Sequence, residues 1–177
     1  MNLLPLCSSP QVSVYFDSWN NWLYVEWEGE ITLPVAQQAC VNLAHCVLKR
    51  PYARVLNNNS SMTSVGLEVG AWLALHFMPH LHLAGVKHMA WVCSPTLAGQ
   101  NLVQTIMNWL PRLEATLFTD MEDAVHWLQQ RQLTPSSEAT RLPATQAKLA
   151  RLVADLERVT TAKPASRPTW WPLGNRR

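Results

Sequence analysis

The run Met89-Ala90-Trp91-Val92 constrains this chain most, because it is unbroken and apolar within a segment, Val86 to Cys93, of strand length. A strand covered on one face alternates apolar and polar residues. A continuous run fits a central strand packed on both faces, the usual situation in parallel sheets. That expectation asks for crossover helices on either side.

The neighbouring segments supply them. Val12, Val14 and Phe16 alternate with polar residues, Asn20-Asn21 makes a turn, and Trp22-Leu23-Tyr24-Val25-Glu26-Trp27 is aromatic and β-branched up to Gly29, so the two runs read as an antiparallel hairpin. Thr32 is placed to cap a helix opened by Leu33-Pro34, with Val35, Ala39, Leu43, Cys46 and Val47 on one face and Lys49-Arg50 before a stop at Pro51. Ala53 to Leu56 reads as a short strand, followed by the polar run Asn57-Asn58-Asn59-Ser60-Ser61, read as a loop. A second helix is expected from Leu67 to Phe77, stopped near Pro79, and a third from Ser94-Pro95 to Leu110-Pro111. Ala115 to Phe118 is the next strand, and Thr119 with Glu122 three residues on suggests a capping box for a helix carrying Ala124, Val125, Trp127 and Leu128. The order β-β-α-β-α-β-α-β-α is that of an α/β fold: a small mixed, largely parallel sheet opened by a β-hairpin.

This domain is expected over residues 11–131, followed by a linker at 132–142 and an amphipathic helix at 143–160 with Leu149, Leu152, Val153, Leu156 and Val159 on one side. A lone helix of that length must dock to stay folded, on its own sheet or on a second copy. The segment 161–177 is a basic tail bearing Trp170 and Trp171, which could anchor in a groove on this chain, on a second copy or at a membrane surface.

Composition narrows the function classes. Only 15% of the 177 residues are charged, against about a quarter in an average domain, so part of the surface is expected to be covered. The net charge of +2 argues against a nucleic-acid partner. Lys163, Arg167, Arg176 and Arg177 stand without an acid among them, and the remainder holds ten basic against twelve acidic residues, so a mildly acidic body precedes the basic tail. Cys7, Cys40, Cys46 and Cys93 have no metal or redox spacing and read as reduced thiols of a cytoplasmic protein. The first residues lack the pattern of a signal peptide, and no apolar stretch is long enough to span a membrane.

Trp27-Glu28-Gly29, Val55-Leu56-Asn57-Asn58, Pro79, Gly85-Val86-Lys87 with Ala90, Phe118-Thr119-Asp120 and Ala124-Val125-His126-Trp127-Leu128 occur in an order that resembles the STAS-like family, domains related to anti-sigma-factor antagonists, and its bacterial SpoIIAA-like branch. The resemblance covers about residues 11–130. It implies helices mainly on one face of the sheet, and a signalling role that works by binding proteins, nucleotides or apolar ligands without covalent chemistry. In the antagonist branch an Asp-Ser step after the third strand presents a phosphorylatable hydroxyl. Here Asn57 and Asn58 stand at that point and the acid is absent, although Ser60, Ser61, Thr63 and Ser64 follow.

The expected partner contact is therefore Asn57, Asn58, Asn59, Ser60, Ser61, Thr63 and Ser64, at the C-terminal end of a strand where open α/β sheets place their ligands. The alternative is a carrier or sensor of an apolar small molecule or lipid, with Trp72, Phe77 and Met78 lining a pocket. Trp22, Trp27, Trp72, Trp91, Trp109 and Trp127 otherwise belong to the core or its rim. His76, His80 and His82 straddle Pro79 without a completing Cys or Asp, so no metal is expected. No catalytic residue or cofactor is expected either: the six glycines form no nucleotide loop, and Asp120, Glu122 and Asp123 suit a helix N-terminus.

Overall fold

The computed structural model describes residues 1–93, 113–131 and 143–161. The third expected helix with Trp109, the linker and the tail with Trp170 and Trp171 lie outside them.

Among the described residues one six-stranded sheet runs in chain order, from β1 (Leu3–Ser9) through β2 (Val12–Asp17), β3 (Trp22–Ile31), β4 (Arg54–Val65) and β5 (His88–Cys93) to β6 (Glu114–Phe118). β1, β2 and β3 pair antiparallel, and β3 to β6 pair parallel. β5 lies between β4 and β6 with five of its six residues buried, as its unbroken apolar run requires.

β1 is an addition to the expected order, and it joins the sheet ahead of the boundary at residue 11. Its Leu3-Leu4-Pro5-Leu6 lacks alternation, so it carries no strand signal of its own. A bulge after Pro5 leaves Leu6 out of the register and aligns Cys7 with Val14. This turns Cys7 toward α1 (Leu33–Lys49), where its Sγ lies 3.6 Å from that of Cys46. The β2–β3 turn closes around Asp17, fully buried, whose carboxylate accepts from Asn2 N, Trp19 N and Asn20 Nδ2. Asn21 takes the left-handed conformation there, with φ 54°.

α1 crosses from β3 to β4. Thr32 occupies its cap position, but the side chain makes no capping bond. The second helical stretch consists of α2 (Leu67–Trp72), a π turn (Leu73–Phe77) and α3 (Met78–Leu81). Pro79 does not stop it as expected. The π turn ends at Phe77 and a new α segment starts, so Pro79 falls in a first turn, where its missing N–H costs nothing.

α4 (Met121–Gln130) returns beneath the opposite face of the sheet. Its N-cap is Asp120 rather than Thr119: the Asp120 carboxylate accepts from Glu122 N (2.7 Å) and Asp123 N (3.1 Å). An acid at this position both caps and favours the helix dipole, and it displaces the weaker hydroxyl. Ala124 and Leu128 pack on Trp22, Tyr24, Leu56, Ala90 and Val92.

α5 (Pro143–Thr161) does not cover the sheet. It lies on α1, burying Leu149, Val153 and Leu156, with His45 Nε2 2.8 Å from Glu157 Oε1 and Gln146 Nε2 donating to Leu48 O. The reason is that α1 is apolar on more than one side. Cys40 and Leu43 face the sheet, while Ala44 and Leu48 meet α5, so these described elements are layered α4, sheet, α1, α5.

Candidate functional site

Alternation along the parallel strands sets two faces. Leu23, Val25 and Trp27 of β3, Val55, Asn57 and Asn59 of β4, and Met89, Trp91 and Cys93 of β5 share the face toward α1. Between them and the helices lies a cavity of about 360 Å³. Cys40, Leu43 and Val47 of α1 and Val69, Leu73, Phe77, Met78 and Leu81 of the second helical stretch close it. The volume falls within the range of roughly 300–1,000 Å³ typical of small-molecule sites.

The polar run behaves otherwise than the sequence suggests. Asn57 to Ser64 is not a loop but part of β4, which stays paired with β3 as far as Val65 opposite Ile31. The ladder is irregular between Asn58 and Ser61, and there Asn58 Oδ1 accepts from Ser60 N at 3.1 Å. The self-bonding habit of Asn that signals a turn here fills a gap in a strand instead.

Asn57, Asn58 and Asn59 are 8%, 5% and 9% exposed, buried in the strand where a surface loop was expected. Asn57 and Asn59 face the cavity. Trp27 Nε1 donates to Asn57 Oδ1 (2.9 Å) and Asn57 Nδ2 to Asn59 Oδ1 (3.2 Å). Burial pushes the thiol of Cys93, in the same lining, up to about 11, while the neighbouring Asn59 amide works the other way. Asn58 points to the opposite face, donating to Tyr24 Oη at 3.0 Å, and Tyr24 donates to Glu26 Oε1 at 3.1 Å. Burial, against the Asn58 bond and with help from Glu26, raises Tyr24 to about 12, so it stays a neutral donor.

Ser60, Ser61, Thr63 and Ser64 are exposed, and Thr63, Ser64 and Leu67 stand at the rim of the cavity. None of the four hydroxyl residues lies within a helix, since α2 begins only at Leu67. Of the expected pocket residues, Phe77 and Met78 line the cavity, but Trp72 does not. It lies about 100° around the helix from Leu73, buried against the core with its ring 6.0 Å from that of His76. Sequence reasoning missed most of the lining, Trp27, Trp91 and Cys93 on the strands and Cys40 on α1 among them; for the strand residues the two-residue period of side chains was the available signal. Among the described residues no three His, Cys, Asp or Glu side chains converge as a metal site, and no helix is long and apolar enough to cross a membrane.

No curated protein matches this chain. Among solved structures, an uncharacterized protein of the DUF3478 family with a SpoIIAA-like fold, from Shewanella loihica PV-4, is similar at 22% identity and a TM-score of 0.50. The match covers 69% of this chain and 98% of that one. The SpoIIAA-like family matches residues 22–129, from the start of β3 almost to the end of α4. The chain therefore belongs to the SpoIIAA-like family.

Proposed function

We propose that this SpoIIAA-like domain is non-enzymatic and binds an apolar small molecule between its sheet and α1, as a carrier or sensor. The cavity carries the reading. It has the volume of a small-molecule site, and apart from Asn57, Asn59, Thr63 and Ser64 its described lining residues are apolar, Gly70 aside. Native mass spectrometry of the full chain, before and after incubation with a lipid extract, tests it. A bound lipid-sized mass is expected; a clean apo mass in both samples counts against a carrier.

A second reading, protein contact, draws on the exposure of Ser60, Ser61, Thr63 and Ser64 beside Leu67, which is 81% exposed. Since Thr63, Ser64 and Leu67 also rim the cavity, a ligand would alter the very surface that a partner meets. Changing Ser60 and Ser61 together to bulky residues should leave folding intact and abolish recovery of a partner in a pull-down; unchanged recovery sinks this reading. A dimer through α5 or the tail belongs with it, and sedimentation of the full chain against a chain ending at residue 142 tests that.

A further inference from the structure

The amides facing the cavity have a direction. An indole N–H can only donate, so the bond from Trp27 Nε1 fixes the oxygen of Asn57 toward Trp27 and its NH₂ group toward Asn59. Asn59 then receives with its oxygen, which leaves its own NH₂ group to donate elsewhere. Reversing either amide would set N–H against N–H. The relay thus ends in a donor, on a residue 9% exposed that lines the cavity. Trp91, 5% exposed and in the same lining, has an indole N–H with no acceptor among the described residues. The hydroxyls of Thr63 and Ser64 donate and accept alike and do not set a polarity. No Asp, Glu, Lys, Arg or His is among the described lining residues.

We infer that the cavity selects a neutral hydrophobe bearing a hydrogen-bond acceptor, such as an ester or ketone carbonyl, received by the NH₂ group of Asn59. The inference rests on the ligand-binding reading above. A carboxylate also accepts, but it would be buried without a cation, which is costly. A plain hydrocarbon leaves the donor unmet.

Calorimetric titration of the delipidated full chain with methyl octanoate, octanoate and octane tests this. At about pH 8, where the acid is ionised, the ester should bind at least about tenfold tighter than octanoate. Asn59→Leu and Asn59→Asp should each weaken the ester by about tenfold and change octane by less than about twofold. If Asn59→Leu does not fold, the near-isosteric Asn59→Asp and the wild-type ester-to-octanoate ratio still decide. Equal binding of ester and octanoate, or an ester affinity indifferent to both variants, overturns the polarity while leaving the carrier reading standing. Failure of all three probes to bind the wild type overturns both.

Discussion

The Trp27–Asn57 bond lends itself to a double-mutant cycle, because both partners are buried and each single change strands the other. Asn57→Leu removes the acceptor of Trp27 Nε1, and Trp27→Phe removes the donor to Asn57 Oδ1. A buried group left without its partner costs about 1–3 kcal/mol. The apolar area gained by Leu, worth at most roughly 1.5–3 kcal/mol, can hide that penalty in the single variant. In the cycle it cancels, as does the lost bond from Asn57 to Asn59, since both occur with and without Trp27. The coupling should therefore be about 1–3 kcal/mol, the double variant being less destabilised than the sum of the singles. Urea unfolding followed by far-UV circular dichroism measures all four corners. Additivity within about 0.5 kcal/mol would show that the indole and the amide do not depend on each other, and the direction assigned to the relay would fall with it.

Three further outcomes are expected. His80 is held below its ordinary value by burial first and then by Lys148 and His76; its stabilising share is present above the unfolded value of about 6.5 and lost as pH falls through the folded one. His80→Gln should flatten the fall in urea midpoint below about pH 6.5, and an unchanged slope counts against this. Leu156→Ala should cost about 2 kcal/mol or more and strip amide-exchange protection from α5 while β4 and β5 keep theirs; equal loss in the sheet would mean that α5 is not a separately docked layer. Cys40, 1% exposed and with its thiol pushed far up by burial, should be alkylated at about pH 8 at least about tenfold more slowly than Cys7, whereas mass spectrometry showing labelling at the rate of Cys7 would refute its placement.

The parallel core was legible because its signals are local and redundant. Met89 to Val92 announced a strand covered on both faces, and the three- and four-residue spacing in α1 announced its apolar side. β1 was not legible, since an edge strand is recruited by the backbone of β2 and needs no alternation. The polar end of β4 misled for a physical reason: Asn and Ser satisfy a backbone in turns and in bulged strands alike, and only the register with β3 distinguishes them. The site followed the same division. Phe77 and Met78 could be placed by helical period, but the cavity depends on side chains from three strands meeting across the sheet, which no single segment encodes.

The sheet's spatial order, identical to its order along the chain, bears on how the molecule is made. Every strand after the first adds beside the one that precedes it, so no pairing waits for a segment still to come. Loop-closure entropy is then met in short instalments, through hairpins first and single crossovers afterwards. During synthesis, β1 to β3 can form a hairpin sheet as soon as Ile31 has emerged, and each later strand meets a finished edge. The strands that line the cavity, β3, β4 and β5, are complete with Cys93, while α5, translated after them, arrives at an α1 already seated on its sheet.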